Sequence, residues 1–197
     1  MELTNERLAF LSNDFKIDIY SKENGKYVKD GESFSITTID DFIPINDNEI
    51  SSISSQESEI TFWDLTTREK TAQIGDIKNY GYSCLLLLGD CLIVGGADRY
   101  DEINNIYIIK IENKELIKKY SFGGNIWFMT KLNEKEFITG ETKGIINRYR
   151  FEENELKLME TNKDNENETV IKLSFCNISN KIASFNEKKF IIFQLND

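Results

Sequence analysis

The stretch Ile60-Thr-Phe-Trp-Asp-Leu-Thr-Thr-Arg-Glu-Lys70 (ITFWDLTTREK) is an apolar run that stops on Trp63-Asp64 and falls into polar turn residues. Four weaker relatives lie elsewhere in the chain: Ile17-Asp-Ile-Tyr20, Ile106-Tyr-Ile-Ile109, Ile146-Asn-Arg-Tyr149 and Phe190-Ile-Ile-Phe193. Aligned on Trp63, their anchors stand at positions 20, 63, 109, 149 and 193, with spacings of 43, 46, 40 and 44 residues. A period in the forties belongs to propellers or to helical arrays. Local composition decides between them.

A second apolar run precedes each anchor segment: Leu8-Ala-Phe-Leu-Ser12, Ile50-Ser-Ser-Ile-Ser54, Leu92-Ile-Val-Gly-Gly96, Phe137-Ile-Thr-Gly140 and Ile182-Ala-Ser184. Each ends in small residues, and a polar turn leads to the anchor run. None is long or periodic enough for a helix of ten residues, so each unit holds two strands joined by a turn. The flanks add two more strands. The third unit shows all four, over 83–88, 91–95, 105–111 and 115–120, separated or ended by Gly89-Asp90, Asn113-Lys114 and Gly123-Gly124. Such turn residues tolerate positive φ. The nearly continuous apolar runs fit sheets buried on both faces, as blades packed round an axis are.

The repeat spacing and the Trp63-Asp64 pair resemble the WD40 family of β-propellers over essentially the whole chain. The resemblance implies an all-β propeller of about five four-stranded antiparallel blades, with units about 3–34, 35–76, 77–122, 123–162 and 163–197 in one domain. The other anchors replace Trp-Asp by Tyr20-Ser21, Ile109-Lys110, Tyr149-Arg150 and Phe193-Gln194. The chain has no histidine, so the family's Gly-His dipeptide and its buried His-to-Asp network are absent.

The first unit begins at its second strand and the last reaches its third, giving three strands at each end and four in each unit between. The reading therefore expects first and last blades that are incomplete, in a domain that stands alone or forms part of a larger propeller. An uncovered blade face would expose on the order of 500 Å² of apolar surface. Covering it is worth roughly 12 kcal/mol as an upper figure. Five-bladed closure, a strand or blade from a partner or second copy, or further sequence would each cover it, the last two being favoured.

With 24 basic and 34 acidic residues the formal charge is −10, which disfavours nucleic acid and anionic membrane as partners. The longest apolar run, at 84–88, is too short to span a bilayer, and the first residues carry no apolar signal core. Cys84, Cys91 and Cys176 lack metal spacing, and buried free thiols are the expectation for the first two. The cytoplasm or the nucleus is the expected location.

No enzyme motif is present: no histidine, no phosphate-binding glycine loop and no Cys-x-x-Cys pair. No cofactor or metal is expected. The third unit carries the distinctive insertion, 97–105, whose Asp98, Arg99, Tyr100, Asp101 and Glu102 are candidate partner contacts, Arg and Tyr being favoured at binding hot spots. In the WD40 arrangement this loop shares a rim with the interblade segment 162–168. Asp164, Glu166 and Glu168 would then extend an acidic surface suited to a basic partner segment. Trp127 opens an innermost strand, either in the core or at the central opening. Arg148 takes a usually apolar place before its anchor and needs a carboxylate or a wet edge.

The reading is a non-catalytic interaction scaffold or complex subunit. The alternatives are a ligand-binding or enzymatic propeller using carboxylates near the central opening, and a substrate receptor of a ubiquitin-ligase type of assembly.

Overall fold

The computed structural model describes residues 7–12, 16–35, 38–54, 56–75, 83–96, 103–123, 125–163, 170, 172–176, 181–185 and 190–195. The described residues form nineteen strands and one short 3-10 turn, Thr142–Gly144. The strands make five antiparallel sheets, the blades of a β-propeller. The chain divides into two compact units, Met1–Ile77 with two blades and Lys78–Asp197 with three.

In the first unit, blade one holds β1 (Arg7–Leu11), β2 (Lys16–Glu23), β3 (Lys26–Lys29) and β4 (Phe34–Ser35). Blade two runs in the order β5 (Asp41–Asn46), β6 (Glu49–Ser54), β7 (Glu59–Asp64), β8 (Lys70–Ile74). Ala9, Ile17, Ile19 and Phe34 of blade one pack with Ile50 and Leu65 of blade two in one buried cluster.

In the second unit, blade three holds β9 (Ser83–Leu88), β10 (Cys91–Gly96), β11 (Ile103–Lys110) and β12 (Glu115–Gly123). Blade four holds β13 (Ile126–Lys131), β14 (Glu136–Glu141), β15 (Ile145–Glu152) and β16 (Glu155–Lys163). Blade five holds β17 (Lys172–Cys176), β18 (Lys181–Phe185) and β19 (Phe190–Gln194). One cluster, including Leu86, Ile93, Ile108, Met129, Phe137 and Tyr149, joins blades three and four. Another, Ile138, Ile146, Val170, Leu173, Ile182 and Leu195, joins blades four and five.

The sequence repeat is a repeat of register. Each anchor pairs with the first apolar residue of its upstream run: Leu8 with Tyr20, Ile50 with Trp63, Leu92 with Ile109, Phe137 with Tyr149, Ile182 with Phe193. Antiparallel partners share a face, so the pairing places both side chains on one side of the blade.

The first blade departs from expectation in one respect. Its outer strand is broken in two, β3 pairing with Tyr20–Glu23 and β4 with Lys16–Ile17. Between them the Asp30 N–H still bonds Ile19 O at 2.7 Å. Gly31 then takes φ +70°, where glycine bears no steric cost, and the Arg68 guanidinium occupies the space a side chain would need. Arg68 donates to Asp30 O at 2.5 Å and so ties the blade-two turn to this break.

Candidate functional site

Trp63-Asp64, the most family-like pair, is occupied with holding blade two together. Trp63 Nε1 donates to Ser52 Oγ on β6 at 2.8 Å, and Lys70 lies over the indole face. Asp64 Oδ1 accepts from the backbone N–H groups of Thr66 and Thr67, both at 2.7 Å. The Thr67 bond first and the Thr66 bond second hold its carboxyl below the usual range. The aspartate therefore closes the turn into β8, as Asx side chains do.

The two buried carboxylates among the described residues, Glu136 and Glu141, both lie in blade four. On the blade-five side, Glu136 lies at the start of β14 and accepts from two arginines of β15. Arg148 reaches its Oε2 from Nη2 at 2.8 Å, and Arg150 reaches its Oε1 at 2.7 Å from Nε. Asn133 Nδ2 adds a bond at 3.2 Å, and Glu160 stands 3.9 Å from Arg148. Register explains the gathering, since Ile138 pairs Arg148, Glu136 pairs Arg150 and Glu160 pairs Arg148. Burial alone would raise the Glu136 carboxyl, but the hydrogen bonds from Arg148 and Arg150 together outweigh it and the net displacement is downward. The partner that Arg148 requires is thus a carboxylate, met twice.

On the opposite face of the same strands sits a second polar group. Glu141, 1% exposed, accepts at Oε1 from Thr139 Oγ1 at 2.8 Å and from Asn147 Nδ2 at 2.7 Å. Thr161 Oγ1 donates to Asn147 Oδ1 at 2.7 Å, and Asn147 Nδ2 also approaches the Tyr149 hydroxyl at 3.4 Å. The second oxygen of Glu141 is buried with no hydrogen-bond partner. Desolvation accordingly pushes the Glu141 carboxyl up, and it pushes the Tyr149 phenol up as well, with the Glu141 charge adding to the latter. The hydrogen bonds of Glu141 serve β14, β15 and β16.

Trp127 is half-buried on β13 and is the extra residue of a bulge, because pairing to β14 passes from Ile126–Glu141 to Phe128–Gly140. Asn125, just before it, is tied to the 3-10 turn by Thr142 N to Asn125 O at 3.0 Å and Asn125 N to Thr142 Oγ1 at 3.1 Å. The other expected contact residues, Asp98, Arg99, Tyr100, Asp101, Glu102, Asp164, Glu166 and Glu168, lie outside the described residues. Cys84 and Cys91 are buried free thiols, and Cys176 is exposed.

Glu136 and Glu141 escaped the sequence reading because carboxylates are abundant in so acidic a chain. Arg148 was the available signal for the first. For the second, the signal was a glutamate in line with Phe137 and Thr139 on a buried face. Among the described residues no cluster of three or more His, Cys, Asp or Glu is placed to hold a metal ion. No helix among them is long and apolar enough to cross a membrane.

No family model matches the chain, and no curated protein matches it by sequence. Solved structures do. A chain in the crystal structure of a mitotic checkpoint complex superposes with a TM-score of 0.79 at 9% identity, covering 98% of this chain. The present chain spans 60% of that chain's length. At this identity the likeness shows the fold, a β-propeller like that of a protein found in a complex.

Proposed function

We propose that this chain is a non-catalytic scaffold or complex subunit that binds protein partners through propeller loops. The observation that carries the reading is the use of the buried ionisable groups. Glu136 bonds Arg148 and Arg150, and Glu141 bonds Thr139 and Asn147, all within blade four. Recognition is thereby left to loops, the usual place for binding residues on a rigid scaffold. The structural neighbour in a checkpoint complex supports the class of function.

Within that reading, Arg99 and Tyr100 are partner contacts, and the acidic residues Asp98, Asp101 and Glu102, with Asp164, Glu166 and Glu168, draw in a basic partner segment. Trp127 contributes an apolar contact. The chain acts in the cytoplasm or the nucleus, and a partner or a second copy donates a strand or blade to the propeller.

Affinity purification of the tagged chain from its native source tests the proposal, with mass measurement of the eluted species. One protein in fixed stoichiometry is expected. Its retention should fall with salt and on charge reversal of Asp98, Asp101 and Glu102 to Lys. A lone monomer in every preparation overturns the reading.

A further inference from the structure

We infer that the corner of blade four around Glu141 is a pH-sensitive latch, closed while the carboxyl is neutral and opened when it ionises. The latch stands on the geometry of blade four, and only its consequence for binding rests on the scaffold reading above.

Three connections meet at this corner. Glu141 is the last residue of β14 and pairs with Ile126 at the start of β13. The next residue, Thr142, donates its N–H to Asn125 O at 3.0 Å, and its hydroxyl accepts from Asn125 N–H at 3.1 Å. Glu141 O in turn accepts from Val170 N–H at 3.1 Å. Val170 is 2% exposed and follows the interblade residues Asp164, Glu166 and Glu168 in the chain. One short stretch therefore fixes the start of blade four, the turn into β15 and the approach to blade five.

The carboxyl placed here has no favourable ionised state. Its Oε1 takes two bonds, both from neutral groups, and its Oε2 is buried with no hydrogen-bond partner. Asn125 Oδ1, at the same corner, is a second buried acceptor without a donor. The titratable groups on this side of the blade do not neutralise the charge. Tyr149 on β15 is a neutral phenol, Lys131 on β13 is engaged by Glu134, and Lys163 on β16 is exposed. Blade three faces them with Cys84, Cys91 and Tyr120, and with Lys118 and Lys110, which Glu155 and Asp90 hold. Burying a carboxylate without a cation, and with one oxygen unbonded, is costly. Ionisation therefore favours whichever conformation brings Glu141 to water.

Such a conformation is close at hand. Directly beyond Glu141 the chain makes the single 3-10 turn, with Lys143 at φ +60° and Gly144 at φ +70°. Lys143 holds a left-handed backbone that residues with side chains adopt at a cost. Releasing the turn relieves it, hydrates the carboxyl and lets the exposed Lys143 ammonium approach from two residues away. The opening gives up the Asn125–Thr142 and Glu141–Val170 bonds. It leaves the pairing of Glu136–Gly140 with β15 in place. Closure is thus favoured at acid pH and lost as pH rises through the folded carboxyl's value, loosening the backbone that anchors the acidic interblade residues.

Amide hydrogen exchange on the full chain tests the latch, read by NMR at Thr142 and Val170, with Ile93 and Ile108 of blade three as references. Rates are divided by those of an unstructured peptide at the same pH and followed through urea concentrations below the unfolding transition. At pH 7.5 Thr142 and Val170 should exchange through an opening that urea does not accelerate, while the references follow global unfolding. In Glu141→Gln that opening should be about tenfold or more rarer at pH 7.5 and unchanged at pH 5. Equal urea dependence at the corner and the references overturns the inference, because the corner then opens only with the whole unit. A urea-insensitive opening of equal frequency in parent and variant overturns it as well, since the turn would fray without the carboxyl. Should Glu141→Gln not fold, the parent decides: corrected corner exchange that fails to rise from pH 5 to pH 7.5 refutes the latch. The measurement involves no partner. A lone monomer in affinity purification would remove the scaffold reading and leave the latch standing.

Discussion

Trp63 Nε1 and Ser52 Oγ stand 2.8 Å apart across β6 and β7, and Ser52 is 3% exposed. The bond joins the anchor of the repeat to its upstream run, so it tests what the anchor does. Trp63→Phe keeps most of the apolar contact with Phe34 but leaves the Ser52 hydroxyl buried without this donor. A cost of about 1–2 kcal/mol is expected. Ser52→Ala in the Trp63→Phe background should add less than it does alone. Denaturant melts of the four proteins measure that coupling.

Glu136 is the centre of the arginine pair. Glu136→Ala should destabilise by about 1–3 kcal/mol, since it removes charge-assisted hydrogen bonds from both arginines while Arg148 keeps Glu160 and Arg150 keeps solvent. Arg148→Met should cost far less, because Arg150 still satisfies the carboxylate and the side chain continues as an apolar one. Acid titration supplies a second reading. The folded carboxyl titrates below its ordinary value of 4.5, so its stabilising contribution is present above that value and is lost as pH falls through the folded one. Urea midpoints below pH 4.5 should therefore drop more steeply for the parent than for Glu136→Gln.

Glu141 has the opposite sign. Its folded carboxyl is raised, so stability is greatest below the ordinary value of 4.5 and declines as pH rises through the folded one. Glu141→Gln removes the titration and the buried charge while keeping an acceptor for Thr139 and Asn147, and should be the more stable protein at neutral pH. Melting temperatures at pH 4 and pH 8 check it: the gap between variant and parent should be wider at pH 8.

What could be read from the chain and what could not divide along physical lines. The anchors were legible because Leu8, Ile50, Leu92, Phe137 and Ile182 must each face an anchor aromatic or isoleucine across a ladder, and burial keeps both apolar. The bulges were not legible. Thr71, Ile117 and Met159 share no residue type, because an unpaired outer-strand residue meets no common demand. Glu141 was hidden for a related reason: its worth lies in Thr139 and Asn147, neighbours set by register rather than by local pattern. The broken outer strand of blade one turns on Gly31 and on Arg68, which is 37 residues away in sequence.

The three thiols divide by access. Cys84 and Cys91 are buried, and desolvation first, with the Asp90 hydrogen bond second, raises the Cys91 thiol to about 11. Thiolate is the reactive form, so both should be inert in the native protein while Cys176 is exposed. A disulfide-exchange reagent at pH 8 should titrate one thiol promptly, absent in Cys176→Ser, and three after denaturation.

The small residue that closes the upstream run of blade four is explained by its neighbour in the next blade. A Cβ added at Gly140 would fall 2.5 Å from Val170 Cγ1 and 3.2 Å from Leu173 Cδ1. Val170 is itself fixed, 2% exposed and held by its N–H bond to Glu141 O at 3.1 Å. Gly140→Ala must therefore push the blade-five side chains away and should cost about 1–3 kcal/mol. Val170→Ala removes the obstructing methyl groups at its own cavity cost. In the double variant, Gly140→Ala should be nearly neutral relative to Val170→Ala alone. Equal losses for Gly140→Ala in both backgrounds, measured by thermal melts, would show that the glycine serves backbone conformation and not the approach of blade five.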